Sequence, residues 1–269
     1  MASEQTVELP RPELSAAKRA LIEARIMGLR GQVRSSGIVP RADRDGAPLS
    51  FAQERLWFID RLQPGSATYN IPVARRLGGA LDEVALERAL GEIVRRHEAL
   101  RTTFAEADGS PVQVIAPFGG FTLRLDDLSG LADADREAEV RRRATEEAMR
   151  PFDLTAGPLF RAALLRLGAE DHVLLLSMHH IVSDGWSMGV LSREVSALYA
   201  AYREGRESPL PELAVQYADY AAWQREHLRG EMLERQLSYW RERLAGAPEL
   251  LELPTDHPRP AVQTFRGAS

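Results

Sequence analysis

The sequence predicts an α/β fold from position 48 onward, because helical and extended hydrophobic patterns alternate along the chain. Residues 172–178 (HVLLLSM) are apolar on both faces, as in a strand inside a sheet. Shortly after them, apolar residues recur at alternating steps of three and four, which is the period of a helix. These residues are Met188, Leu191, Val195, Leu198 and Tyr202.

The first 47 residues contain one predicted helix between two irregular segments. Residues 1–13 are polar, with two prolines, and are expected to be disordered. Residues 14–30 carry apolar side chains on one face, which predicts an amphipathic helix. Glycines and prolines in 31–47 indicate a linker. This helix is expected either to pack on its own domain or to dock onto an upstream protein, and both interpretations stay open.

The central region, 48–208, is the predicted α/β lobe. Its expected elements, in order, are a helix at 51–62, a strand at 71–77, a helix at 86–97, strands at 100–105 and 111–115 around an Asp108-Gly109 turn, a strand at 123–127, a helix at 131–150, a hairpin of strands at 159–167 and 172–178, and a helix after Gly185. A break at Pro209 and Pro211 precedes two further predicted helices, at 217–228 and 231–244.

Composition narrows the possible functions. Lys and Arg total 34 and Asp and Glu total 39, so the net charge of −5 gives no general attraction to nucleic acid or anionic membrane. The absence of cysteine excludes disulfides, thiolate zinc sites and cysteine nucleophiles. No signal peptide or membrane span is found in the sequence, so a cytoplasmic location is expected.

The candidate site is the segment from His179 to Gly185, at the end of the apolar strand. Adjacent side chains of a strand point to opposite faces, so one histidine is expected to support the backbone and the other to face a cleft. Histidine exchanges protons near neutral pH and suits acid–base chemistry. Asp184, just before a helix, suits a cap or an ion pair. Gly185 is expected to permit a tight turn.

Two alternatives compete with acid–base chemistry at the histidine pair. Adjacent strand histidines diverge and no H-E-x-x-H occurs, so no metal site is predicted. An ordinary buried, hydrogen-bonded pair remains possible on these residues alone. Since no G-x-S-x-G and no cysteine is present, a direct transfer without a covalent acyl-enzyme is the simplest scheme.

Four segments, taken in order, resemble the core motifs of condensation domains of nonribosomal peptide synthetases. They are PLSFAQERLWFIDRL at 48–62, RHEALRTTF at 96–104, SMHHIVSDGWSMGVL at 177–191 and YADYAAWQRE at 217–226. The phrase LPTDHPRP is also similar to the connector of that family. Four matches in the family's order are far more specific than any single short motif.

The resemblance implies a chloramphenicol-acetyltransferase-like fold of two related α/β lobes. Residues 48–208 would be the amino-terminal lobe, a two-layer sandwich, and 209–269 would be linker helices and a Pro-rich connector toward a second lobe. The matched region is about half of what both lobes need. The chain alone is therefore expected to be an inactive half.

The resemblance also implies the chemistry. The family forms a peptide bond between a donor acyl or peptidyl thioester and an aminoacyl acceptor, each carried on the phosphopantetheine arm of a carrier domain. Upstream and downstream carriers and adjacent synthetase domains would be the partners, with no directly bound cofactor. A carrier-binding module without catalysis and a starter-type N-acylating domain are the alternatives.

Residue roles carried over from the family are centred on His180, the implied catalytic residue, acting as a base or as a positioning group. His179, Asp184 and Gly185 are the implied supports of the motif. An arginine is expected to hold the aspartate, and Arg101 is one candidate for it, the other being a residue beyond position 269.

Overall fold

The computed structural model describes residues 37–42, 46–248, 250 and 253–258. The chain divides into two compact units, 1–38 and 39–269, and the fold below belongs to the second. The predicted disordered start and the helix at 14–30 lie outside the described residues, as does most of the final Pro-rich connector. In the described part, no helix is both long and apolar enough to cross a membrane.

The order of helices and strands follows the predicted order. The elements are β1 (Ala47–Pro48), α1 (Phe51–Leu62), β2 (Asn70–Gly78), α2 (Glu83–Arg96), a 3₁₀ turn (Glu98–Arg101), β3 (Thr102–Ala107), β4 (Ser110–Ile115), β5 (Arg124–Asp127), α3 (Asp133–Met149), β6 (Phe160–Gly168), β7 (Asp171–His179), α4 (Gly185–Arg203), α5 (Tyr217–His227) and α6 (Gly230–Leu244). The α/β prediction is confirmed.

One predicted strand begins late. The strand expected from position 100 starts at Thr102, because residues 98–101 form a 3₁₀ turn. The backbone N–H of Leu100 donates to the carbonyl of His97 at 3.0 Å. The apolar residues there supported an extended conformation, whereas Leu100 reaches the core from within the turn.

The main sheet has four strands in the order β2-β7-β6-β5. Strand β7 lies between two antiparallel neighbours, with Asn70 opposite His179 on one side and Phe160 opposite Met178 on the other. Strand β5 runs parallel to β6. A separate three-stranded sheet has the order β1-β4-β3. The prediction that 172–178 is an internal strand is confirmed.

Strand β7 is buried on both faces by helices. Its residues Leu174, Leu176 and Met178 belong to one core cluster with residues of α2 and α4. The alternating positions Val173 and Leu175 belong to another cluster, against which α3 packs. Because each face of β7 has its own apolar partners, a shift of the strand register by one residue would turn both sets of side chains to the wrong face. The register of β7 therefore fixes which way each of the residues that follow it points.

Helix α5, predicted as part of a linker, is anchored to the lobe by a buried polar network. The backbone N–H and Nε of Arg41 donate to Asp219 Oδ1 at 3.0 and 3.1 Å. Asp219 Oδ2 accepts from the N–H of Gln216 at 2.8 Å, and Gln216 Nε2 donates to the carbonyl of Arg96, also at 2.8 Å. Burial raises the pKa of Asp219, but the hydrogen bonds from Gln216 and Arg41 outweigh it and leave that pKa lowered. The network fixes the start of α5 beside the end of α2.

Candidate active site

The two histidines at the end of β7 point in opposite directions, as strand alternation predicts. His179 is 3% exposed, whereas His180 is an exposed residue at the surface of the lobe. The backbone N–H of His180 donates to the carbonyl of Tyr69 at 2.8 Å. This bond extends the pairing of β7 by one residue, onto the segment before β2. The fold therefore buries one imidazole and presents the other.

His179 is a neutral buried support. Its Nδ1 accepts a hydrogen bond from the N–H of Ile181 at 3.1 Å, and its ring contacts the rings of Tyr69 and Phe152, with centroids 6.3 and 6.2 Å away. Burial, together with the nearby charge of His180, lowers the pKa of His179 to about 4. The side chain is therefore uncharged at neutral pH and holds the first peptide of the loop.

A pH dependence of stability follows from His179. Between its ordinary value of 6.5 and the folded value of about 4, the unfolded chain binds more protons, so stability falls as the pH falls through that window. The full loss is about 3 kcal/mol. Urea unfolding at neutral and mildly acidic pH measures it. His179→Asn keeps an acceptor for Ile181 but does not titrate, so its stability should depend less on pH; an unchanged dependence would contradict the assignment.

His180 is held in one orientation by the loop that follows it. Its Nδ1 lies 2.8 Å from the carbonyl oxygen of Ser183. A carbonyl only accepts hydrogen bonds, so Nδ1 carries the hydrogen and donates it. In the neutral ring the lone pair is then on Nε2. This arrangement gives a histidine whose second nitrogen is able to accept a proton.

Two cavities flank the loop 180–184. The first, of about 180 Å³, is lined by His180 and Asp184 together with residues of α1. The second, of about 220 Å³, is mostly apolar and is lined by Trp186 and residues of α2 and α4. The residues lining both are Val182, Ser183, Ser187 and Tyr217. The histidine therefore lines a small cavity whose surface is mostly apolar but more polar than that of the cavity beside it.

Asp184 caps helix α4. Its Oδ1 accepts from the N–H of Ser187 at 2.8 Å and from Ser187 Oγ at 2.6 Å, while the N–H of Asp184 donates to Ser187 Oγ at 3.2 Å. The hydrogen bonds from Ser187, side chain first and then backbone, lower the pKa of Asp184. The carboxylate is therefore ionised and engaged in the cap, as the sequence suggested.

Removing this cap should weaken the start of α4. Asp184→Ala is expected to lower the free energy of unfolding by about 1 kcal/mol, since the N–H of Ser187 loses its acceptor. Asp184→Asn keeps an acceptor and should lose much less. Chemical denaturation of both variants measures the difference, and equal stabilities would show that the cap contributes nothing.

Arg101 does not pair with Asp184, so this candidate was wrong. Its guanidinium donates to the carbonyl of Ala116 and lies 3.6 Å from Glu98 Oε1. The 3₁₀ turn explains why Arg101 has this partner, because it brings the carboxylate of Glu98, three residues earlier, next to the guanidinium. Within the described ranges, no arginine contacts Asp184.

Gly185 also differs from its expected role. It is the first residue of α4 and has no positive φ, and a methyl group there would meet nothing within 4 Å in the described part of the chain. The turn is made instead by residues 180–182, where the N–H of Val182 donates to the carbonyl of His179 at 3.1 Å, and Asp184 follows as an extended N-cap with φ −147° and ψ −176°. The turn itself therefore does not require glycine at 185.

Sequence reasoning missed three residues around the site. Gln53, 1% exposed, donates to the carbonyl of Ile181 at 3.4 Å, and its side chain completes a capping box with Ser50. Ser50 Oγ lies 3.0 Å from the hydroxyl of Tyr217, which arrives on α5. Burial raises the pKa of Tyr217, so its phenol stays protonated. The S-x-x-Q spacing could have revealed Gln53, but no local signal places Tyr217 here.

The comparison with known families identifies the lobe that carries this histidine loop. The condensation domain family matches residues 43–269, so the chain belongs to that family. In the described residues, no group of three or more His, Asp or Glu could hold a metal ion.

Relatives with this sequence pattern are peptide synthetases. The malpinin synthetase of Mortierella alpina is 48% identical over 258 residues, which is 95% of this chain and 3% of that protein. Phosphinothricin tripeptide synthetase PhsC of Streptomyces viridochromogenes is 46% identical over 256 residues, which is 95% of this chain and 24% of that protein. The chain thus corresponds to a small part of each.

Solved structures agree with the fold. The X-domain from teicoplanin biosynthesis, in a complex with OxyB, matches with a TM-score of 0.73 and 34% identity, covering 84% of this chain and 49% of that one. The first condensation domain of the calcium-dependent antibiotic synthetase, with a substrate analogue, matches with a TM-score of 0.68 and 30% identity, covering 76% and 48%. The chain therefore spans about half the length of these domains.

Proposed function

We propose that these residues form the amino-terminal lobe of a domain that makes peptide bonds in nonribosomal peptide synthesis. The substrates would be a donor acyl or peptidyl thioester and an aminoacyl acceptor. The observation that carries the proposal is the 2.8 Å contact between His180 Nδ1 and the carbonyl of Ser183. It leaves Nε2 as the proton acceptor of a side chain that lines the first cavity.

In the proposed reaction, the acceptor amine attacks the carbonyl carbon of the donor thioester. His180 Nε2 accepts the proton that the nitrogen loses as the C–N bond forms. The C–S bond then breaks, and the leaving sulfur takes a proton from the imidazolium. One amide and one thiol result, and no covalent acyl-enzyme forms.

The surroundings of His180 favour this proton transfer. When Nε2 accepts a proton, the Nδ1 hydrogen bond to the Ser183 carbonyl becomes charge-assisted and stronger. The ionised Asp184 lies close enough to attract the imidazolium, an interaction that also lowers the pKa of Asp184. His179, with its pKa of about 4, stays neutral and adds no opposing charge.

The proposed partners are upstream and downstream carrier domains, which present both substrates on phosphopantetheine arms, and the adjacent synthetase domains. The proposed location is the cytoplasm. Residues 48–208 would form the lobe and 209–269 the connection toward a second lobe. Joining two amino acids and adding a starter acyl group both fit this scheme.

A second candidate function is a binding module without catalysis. The similarity to the teicoplanin X-domain, solved in a complex with OxyB, favours it. Such a module would use the same lobe as a surface for another protein. It would not need the orientation of His180 described above.

Amide formation distinguishes the two candidates. The intact domain that contains these residues is incubated with a donor carrier and an acceptor carrier, each loaded with its thioester, and the carriers are weighed by mass spectrometry. The proposal expects the donor acyl group on the acceptor carrier and a free thiol on the donor carrier. Carrier binding without transfer would favour the binding module.

A further inference from the structure

Ser183 contributes two different groups to the site. Its backbone carbonyl orients His180, whereas its side chain has no described role. Only 7% of its surface is exposed, and Oγ is a buried atom without a hydrogen-bond partner in the described structure. The same residue lines both cavities beside the loop.

A buried hydroxyl without a partner is uncommon, because nearly all buried polar groups in proteins form hydrogen bonds. Ser177 Oγ is a second such hydroxyl, at 0% exposure, but it lies within β7 and lines neither of these two cavities. Ser183 differs because it adjoins space that another molecule can enter. Ser183 Oγ is closed to solvent in this conformation, but rotation about the Cα–Cβ bond can turn the hydroxyl toward either cavity without backbone movement.

The chemistry of the neighbouring groups indicates what Ser183 would bind. His180 Nε2 and the carboxylate of Asp184 are acceptors, and the hydroxyl of Ser187 is already donated to Asp184. Among the loop side chains that line the first cavity, these groups leave no hydrogen available for donation to a substrate oxygen. Ser183 supplies one, three residues from the base and on the same loop.

We propose that the Ser183 hydroxyl donates a hydrogen bond to the carbonyl oxygen of the thioester under attack. This inference rests on the proposed function. As the amine nitrogen bonds to the carbonyl carbon, the oxygen gains negative charge, and the hydroxyl stabilises it. The proton of the amine goes to His180 Nε2, the carbonyl re-forms, and the thiolate leaves and is protonated.

The test is Ser183→Ala in the intact domain, assayed with loaded carriers. The expected result is a fall in kcat of about 100-fold with little change in KM, because the bond strengthens only in the transition state. The variant should unfold at the same denaturant concentration as the parent or at a higher one, since the hydroxyl has no partner among the described residues. Ser183→Thr keeps a hydroxyl, so its kcat should be at least tenfold higher than that of Ser183→Ala.

Ser177→Ala is the matched control, because it removes an equally buried, unpartnered hydroxyl away from both cavities. It should leave kcat unchanged. An unaltered kcat in Ser183→Ala, a change in KM alone, or an equal loss in Ser177→Ala would each overturn the inference. If Ser183→Ala is fully active while His180→Ala is inactive, only this inference fails; if the parent forms no amide, the proposed function fails.

Discussion

His180→Ala is expected to slow amide formation by about 100- to 10,000-fold, because it removes the group that takes the proton from the attacking amine. Folding should be retained, since His180 is exposed and its side chain makes one hydrogen bond, to the Ser183 carbonyl. Single-turnover transfer between loaded carriers measures the effect. Binding of the carriers should be unaffected, which separates loss of chemistry from loss of recognition.

The matched control is His227→Ala. His227 lies at the end of α5, stacked on Trp223 with 4.7 Å between ring centroids, and lines neither cavity beside the loop. The His227→Ala variant should transfer the acyl group between carriers at the parent rate. Normal transfer by His180→Ala would contradict the catalytic role, and an equal loss in both variants would point to a general effect of removing a histidine.

Asp219→Ala is expected to destabilise the lobe by about 3 kcal/mol, because the buried Arg41 loses its nearest carboxylate and keeps only the more distant Glu98, at 3.8 Å. The side chains of Arg41 and Asp219 are 8% and 2% exposed and lie 3.1 Å apart. The substitution also removes the acceptor for the N–H of Gln216. Urea unfolding of the intact domain measures the loss.

An exposed ion pair is the control for this prediction. Arg142 and Glu139 lie 2.7 Å apart, and their side chains are 56% and 22% exposed. Replacing Arg142 with alanine should leave the free energy of unfolding nearly unchanged, because solvent screens such pairs. Similar losses for Asp219→Ala and Arg142→Ala would show that the buried network is not a special anchor.

The fold was largely predictable because its elements have strong local signals. The apolar run of β7 predicted a strand covered on both faces, and residues of α2, α3 and α4 do cover it. The Asp108-Gly109 pair predicted a hairpin, and both residues have the positive φ angles, 50° and 73°, that such turns need. In each case the decisive interaction lies within a few residues of the pattern.

The site was predictable only where its contacts are local. The opposite orientations of His179 and His180 follow from strand alternation, and the cap by Asp184 follows from its place before a helix. Arg101 has a local partner, Glu98, three residues earlier in a 3₁₀ turn that the apolar pattern did not indicate, so the Arg101 candidate was wrong. The approach of Tyr217 depends on tertiary packing, which no sequence spacing encodes, so Tyr217 was missed.

In this fold, Nε2 of His180 is available to accept a proton. The ¹⁵N NMR spectrum of the labelled domain in alkaline buffer tests this, with His180→Ala assigning the signals. The contact with the Ser183 carbonyl predicts a hydrogen on Nδ1 and none on Nε2. A neutral ring with its hydrogen on Nε2 would contradict the account.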